Sequence, residues 1–344
     1  MEVIKMKNII KKLTKNQNLS LEEAKKTIES IVMEDADPIQ VAAILTALDV
    51  KGYTADEITG FVQYGRQCTI KLNPSNREQV VDIVGTGADN SNTFNISTAA
   101  AFVVAGAGIP VAKYGNKAVS SNSGSSDVLD ELGINIYQDF NKLEKCLEEI
   151  GLVFMNAQQF NPAFKYIAPV RKSLGIPTIF NLIGPLTNPV QPKYIAMGVY
   201  DPNLTEIIAQ AAKNLGYKKG LFFHGDGLDE LAITGKTKIT ELNKGKICTY
   251  HFDPRSFGIK YGKIEHLQVD SKGKSAYIIF ELLKGEQSND ISKTRRNIVL
   301  LNAAAGLYAA GKAFDFREGI ELAKESIDSG KALEKLYAVR EFMK

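Results

Sequence analysis

Over roughly the first 70 residues the apolar positions recur at helical spacing. Ile28, Ile31 and Val32 form one stripe, and Ala43, Ile44, Ala47 and Leu48 form another. Ser20-Leu21-Glu22-Glu23 and Thr54-Ala55-Asp56-Glu57 read as capping boxes. Asp37-Pro38 predicts an N-cap followed by proline at the first helical position, and Gly52 stops that helix. The expectation is a small bundle of short helices that buries one side against a further surface, such as a second subunit.

From Val80 onward, short apolar runs alternate with helical patterns. Residues 80–84, 109–112, 152–155, 195–199 and 221–223 are strand candidates. Helical segments are expected after Ser97, Ser126, Asn141 and Asn203. This rhythm predicts a largely parallel sheet with covering helices. Residues 237–242 and 247–252 predict an antiparallel hairpin, and the last fifty-odd residues return to helix. Residues 161–174 and 178–183 break the rhythm as two helices punctuated by Pro169, Pro177, Pro185 and Pro189. Folding them back onto the bundle divides the chain into a small discontinuous helical domain, 1–74 and 162–190, and a larger α/β domain with a central, mostly parallel sheet, 75–161 and 191–344. Hinges then fall near residues 75, 161 and 190. There is no internal repeat and no long low-complexity linker.

Composition narrows the class. Hydrophobic residues make up 44% and charged residues 24% of 344, which excludes a disordered chain, a collagen and a disulfide scaffold. Cys68, Cys146 and Cys248 are odd in number and far apart, arguing against a disulfide framework and for a reducing cytoplasm. His224, His251 and His266 show no metal-ligand spacing. The apolar stretch 99–112 is too short to span a bilayer and contains Gly106 and Gly108, so no membrane association is expected. The N-terminus reads as helix rather than as a signal or transit peptide. A balance of 42 basic against 39 acidic residues, net +3, does not argue for nucleic acid.

Four segments carry candidate chemistry. Residues 82–98 leave a strand, cross the polar loop Gly85-Thr86-Gly87-Ala88-Asp89 and enter an apolar helix. Such a loop aims backbone N–H groups and a helix N-terminus at an anion. Gly85 and Gly87 permit close approach, while Thr93, Asn95, Ser97 and Thr98 offer short polar side chains. It is neither a Walker A loop nor a dinucleotide fingerprint, and its bland reading is a turn capped by Ser97. Residues 113–127 begin with Lys113 at a strand end, where its ammonium can hold a phosphate as a point charge, and continue into a serine run. The bland alternative is a Ser/Gly loop with Ser126 as N-cap. Asp229 and Glu230 are either solvated loop carboxylates or, beside two phosphate loops, ligands for Mg²⁺. Arg171 is the only arginine between Arg77 and Arg255: a surface helix charge, or a guanidinium fork for a planar carboxylate.

Taken in order, these segments resemble those of anthranilate phosphoribosyltransferases. The resemblance rests on the 85–98 loop, the 113–127 segment, residues 171–189 with Thr178-Ile179-Phe180-Asn181-Leu182-Ile183-Gly184-Pro185, and the loop Gly227-Leu228-Asp229-Glu230; it covers nearly the whole chain. It implies the nucleoside-phosphorylase-like transferase fold and a homodimer formed through the helical domain. It also implies transfer of phosphoribose from phosphoribosyl pyrophosphate (PRPP) to the amine of anthranilate, in tryptophan synthesis. It implies that Gly85, Gly87, Asp89, Thr93, Asn95, Ile96, Ser97, Thr98, Lys113, Tyr114, Gly115, Asn116, Ser121, Ser125 and Arg171 bind substrate, with Lys113 and Arg171 catalytic. Ser97, Asp229 and Glu230 would serve Mg²⁺. The chain departs from the family pattern at Ala88, usually glycine, at Tyr114 and Asn161, usually histidine, and at Lys117, usually arginine. Tyr114 is expected to stack on an aromatic acceptor or donate its O–H. Competing readings are a pyrimidine-nucleoside phosphorylase, a nucleic-acid-binding paralogue without activity, and an enzyme with the same donor but another aromatic acceptor.

Overall fold

The computed structural model describes residues 5–116 and 124–344. Four helices open the chain: α1 (Met6–Leu13), α2 (Leu21–Val32), α3 (Pro38–Lys51) and α4 (Ala55–Cys68). Ser20 and Thr54 close the expected capping boxes with Glu23 and Glu57. Asp37 caps α3 ahead of Pro38, and Gly52 ends it at φ +83°. The α/β pattern follows as β1 (Val81–Gly85), α5 (Ile96–Gly106), β2 (Val111–Gly115), α6 (Ser125–Glu131), α7 (Phe140–Glu149) and β3 (Leu152–Asn156). Next come α8 (Ala157–Phe160), α9 (Ile167–Leu174), α10 (Ile179–Leu186), β4 (Tyr194–Gly198), α11 (Thr205–Asn214) and β5 (Lys219–Gly225). The chain ends with β6 (Thr237–Asn243), β7 (Lys246–Phe252), α12 (Lys272–Leu283), α13 (Asp290–Ala309), α14 (Phe316–Asp328) and α15 (Lys331–Phe342).

The seven strands form one sheet in the order β3-β2-β1-β4-β5-β6-β7. The first five are parallel, and the β6–β7 hairpin adds two antiparallel strands at one edge. Strand order reverses direction at β1, which puts a crevice outside the carboxyl ends of β1 and its neighbours. Helix α5 packs on the sheet beside α13 and is covered by α14 and α15, and every residue in it except Ser97 is buried. Its run of alanines allows close packing, and Gly106 meets Ala332 of α15 where a Cβ would come within 2.8 Å of backbone. A helix apolar on all sides belongs inside, as here.

A second apolar cluster covers the other sheet face. It joins Ile28, Ile44, Leu48 and Phe61 of the bundle to Ile179, Leu182 and Ile183 of α10 and to Val84, Ile195, Met197 and Phe222 of the sheet. The small helical part and the sheet thus share packing, and α9 and α10 contact α3 and α4.

Several boundaries differ from the sequence expectation. β2 starts at Val111 rather than Ile109, because Pro110 has no N–H to give a ladder. β1 ends one residue later, at Gly85. α5 begins at Ile96 after Asn95 rather than after Ser97, whose N–H is turned to a carboxylate instead. α6 begins at Ser125 after Gly124 rather than after Ser126, and α7 is capped by Asp139 rather than Asn141. Residues 162–166 form a 3-10 turn ahead of α9, which ends at Gly175 with φ +65°. No helix among the described residues is long and apolar enough to cross a membrane.

Candidate active site

The loop after β1 and the loop after β5 meet over the end of β4. Gly85 permits this: a Cβ there would lie 2.5 Å from Asp229 Oδ2. Gly87 N–H donates to the same Oδ2 at 2.6 Å, and Ser97 N–H at the start of α5 donates to Glu230 Oε1 at 3.1 Å. Asp89 closes the loop by accepting from Ser91 N–H and, at 3.3 Å, from Asp229 N–H. Ala88 holds φ +70°, a left-handed conformation that costs a residue with a Cβ roughly 1 kcal/mol and explains why glycine is usual there. Burial, then the neighbouring Asp89 charge, pushes the Asp229 carboxyl up to about 7. Burial and the Asp229 charge raise Glu230 well above the ordinary carboxylate range.

Lys113 extends from β2 to the same place. Its Nζ donates to Ile83 O at 2.6 Å and to Ser97 Oγ at 3.0 Å. These are the hydrogen bonds it makes among the described residues, so one ammonium N–H remains for an anion. Burial lowers its pKa, while Asp82, Glu230 and Asp229 oppose that shift. By the register of β1 and β2, Asp82 and Lys113 are one step apart and leave opposite sheet faces. Asp82 is fully buried; Asn188 Nδ2 donates to its Oδ2 at 2.7 Å and to Ala112 O at 2.9 Å. Burial pushes Asp82 up to about 7, against the pull of Lys113, Asn188 and the N–H groups of Tyr114 and Ile83.

The opposite wall comes from α9 and α10. Arg171 is held over the Phe180 ring at 5.8 Å from its centroid, and its Nη2 donates to Asn181 Oδ1 at 3.1 Å. The cleft between the walls has a volume of about 310 Å³. Gly85, Gly87, Asp89, Thr93, Asn95, Ile96, Ser97, Lys113, Tyr114, Gly115, Asn116, Ser125, Arg171, Asp229 and Glu230 all line it. Thr98 does not join them: it is fully buried one residue further into α5. Ser121 lies outside the described residues. Asn161 is also absent from the lining; its Nδ2 donates to Thr69 Oγ1 at 2.8 Å beside the end of α4. Tyr114 also lines the cleft, but the residue is only 3% exposed and its hydroxyl meets Thr187. Little of its ring is therefore open to an acceptor. Asn181, Phe180, Gly184 and Pro185 line the cleft and were not singled out as site residues from the sequence. Their signal was present in the proline-punctuated stretch beyond Arg171. Ser275 of α12 was also missed; it bonds both Asn95 N–H and Asn95 Oδ1.

Among the described residues no group of three or more His, Cys, Asp or Glu side chains is spaced to hold a metal unaided. Asp229, Glu230 and the Ser97 hydroxyl suit Mg²⁺ nonetheless, since that ion takes one or two carboxylates and fills its shell with water and substrate phosphates. Two buried carboxyls held above their ordinary range are also the groups a divalent cation would neutralise.

Comparison with known proteins gives the family and the fold. Residues 77–333 match the family model described as "Glycosyl transferase family, a/b domain", and residues 7–67 match its "helical bundle domain". Anthranilate phosphoribosyltransferase of Pelotomaculum thermopropionicum is 44% identical over 338 residues, covering 98% of this chain and 96% of the relative. The crystal structure of anthranilate phosphoribosyltransferase from Thermus thermophilus superposes with a TM-score of 0.90 at 36% identity, covering 97% of this chain and 99% of that one. The Saccharomyces cerevisiae enzyme in complex with PRPP and Mg superposes with a TM-score of 0.87 at 28% identity, covering 98% and 97%. With both parts of the fold matched and near-complete coverage of its relatives, the chain belongs to the anthranilate phosphoribosyltransferase family of glycosyl transferases.

Proposed function

We propose that this chain transfers phosphoribose from PRPP to the amine of anthranilate, giving N-(5-phosphoribosyl)anthranilate and pyrophosphate. The carrying observation is the meeting, in one cleft, of the glycine loop, a buried lysine, a carboxylate pair and an arginine on the facing wall. The diphosphate lies along the Gly85–Gly87 loop and the N-terminus of α5, with the remaining N–H of Lys113 on a phosphate oxygen. Charge develops on the leaving pyrophosphate as the C1–O bond breaks, and donors fixed before the reaction stabilise it without reorganising. Arg171 holds the anthranilate carboxylate so that the amine faces C1, and proximity supplies much of the acceleration. No protein nucleophile is needed. Mg²⁺, held by Asp229, Glu230 and Ser97, would neutralise diphosphate charge when bound.

We propose the division into a helical part, 1–74 and 162–190, and an α/β part, 75–161 and 191–344; the position of Arg171 across the cleft from Gly85 and Lys113 supports it, and closure between the two would exclude water. We also propose a homodimer through the helical part. Ile39 and Val50 are 82% and 83% exposed on α3 and lie on one face with Ala43 and Thr46, an apolar stripe that a second copy would cover. A cytoplasmic location fits the substrates. The test is to mix protein, Mg²⁺, PRPP and anthranilate and follow anthranilate fluorescence. Loss of the signal that depends on both protein and donor is expected. An unchanged signal with folded protein would overturn the assignment.

A further inference from the structure

We infer that Asn181 is a positioning residue that ties the acceptor arginine to the donor loop, so that filling the donor site tightens the acceptor site. The inference rests on the proposed function, in which Arg171 holds the acceptor carboxylate. Asn181 occupies the third position of α10, where an amide commonly caps the helix. Its Oδ1 does accept Thr178 N–H at 3.1 Å. Capping accounts for that bond alone. The same Oδ1 accepts Arg171 Nη2 at 3.1 Å, and Nδ2 donates to Thr86 O at 3.3 Å. Three chain segments, from the end of β1, from α9 and from the start of α10, therefore converge on one planar amide.

Both ends of this link are fixed in a way that transmits position. Thr86 lies between Gly85 and Gly87 in the loop that faces the donor. It is pinned to β4: its N–H donates to Gly198 O at 3.0 Å, and its Oγ1 accepts Tyr200 N–H at 2.9 Å. The Arg171 guanidinium has Phe180 beneath it and Asn181 as its hydrogen-bond partner among the described residues. Its aim into the cleft is thus set by where Asn181 stands. A flip of the amide would face N–H₂ to guanidinium and oxygen to carbonyl, losing both bonds together. The β4 bonds hold the Thr86 N–H and hydroxyl, whereas its carbonyl shares a peptide plane with Gly87 N–H, which faces Asp229 Oδ2. A diphosphate seated there resets that plane, the carbonyl then sets Asn181, and Asn181 sets the guanidinium. The coupling is reciprocal, so the acceptor must tighten the donor by the same factor.

The test titrates anthranilate by its own fluorescence, with and without magnesium pyrophosphate as a non-reacting occupant of the donor site. In the unmodified protein the anthranilate Kd should fall about fivefold or more when pyrophosphate is present. Asn181→Asp keeps an oxygen for Arg171 and for Thr178 N–H but replaces the donor to Thr86 O with a second oxygen. The added charge pairs with Arg171 and should weaken anthranilate binding without pyrophosphate, so the readout is the ratio of the two Kd values within this variant, which should fall to about one. Asn181→Ala should lose both the coupling and about tenfold in anthranilate affinity. A helix cap with no further role would lower melting temperature in Asn181→Ala and leave the coupling factor intact in Asn181→Asp. That result, or a catalytically active unmodified protein that shows no coupling, would overturn the inference about Asn181 and leave the proposed function standing. An unmodified protein that neither binds nor consumes anthranilate would instead overturn the function.

Discussion

Asp82 provides a quantitative test of the electrostatics under the site. Its carboxyl is pushed from its ordinary 3.8 up to about 7, chiefly by burial. The native chain therefore keeps a proton that the unfolded chain has already shed across that window. Stability supplied by this group is complete below about pH 4 and is lost as pH rises towards 7. At about 1.4 kcal/mol per unit the whole window is worth about 4 kcal/mol, of which about 3 falls above pH 5. For 344 residues, an unfolding entropy of about 0.7 kcal/mol/K turns the upper part into about 4 °C of melting temperature. Asp82→Asn keeps the shape and removes the titration. The assay is melting temperature at half-unit steps from pH 5 to pH 8 for both proteins without ligand. Asp229 and Glu230 titrate in both and cancel in the difference. The unmodified protein should fall about 4 °C further than Asp82→Asn across this range. Parallel curves would show that Asp82 is ionised throughout, and that Lys113 and Asn188 outweigh its burial.

Lys113→Ala removes the ammonium that faces the diphosphate and should lower turnover about 10²- to 10³-fold in the fluorescence assay, with the anthranilate KM within about twofold. Gly85→Ala drives a Cβ to 2.5 Å from Asp229 Oδ2 and displaces the carboxylate that holds Gly87. The expected result is a roughly hundredfold fall in kcat/KM for PRPP, shown by steady-state kinetics at saturating anthranilate. Arg171→Ala should raise the anthranilate KM about tenfold or more and raise the PRPP KM by no more than the coupling factor, and an unchanged acceptor KM would remove Arg171 from that role.

Much of this site was legible from residue order because its chemistry is local. Gly85, Gly87 and Ser97 lie within one strand-loop-helix passage, and Lys113 lies at the end of the next strand, so the α/β rhythm alone brings them to one edge. The caps at Ser20, Asp37 and Thr54 were legible for the same reason, each depending on three or four adjacent residues. What was not legible depends on distant partners. Ser97 looks like a cap, but its N–H answers Glu230, 133 residues away. Asn181 looks like an ordinary helix-start amide, and its link to Thr86 appears only when α10 is packed against the sheet. Tyr114 was expected to face an acceptor. Strand alternation turns it to the face opposite Lys113, where its hydroxyl meets Thr187. Asn161 similarly follows the end of α4 rather than the cleft.

The hydrogen bond from Gly87 to Asp229 closes a separation of 142 residues. A chain emerging from the ribosome therefore completes its glycine loop long before it synthesises the group that the loop must grip. Contacts of such range form slowly compared with helices. Recovery of PRPP binding should consequently trail recovery of helical signal during refolding, making ligand capture a gauge of the last stage of assembly.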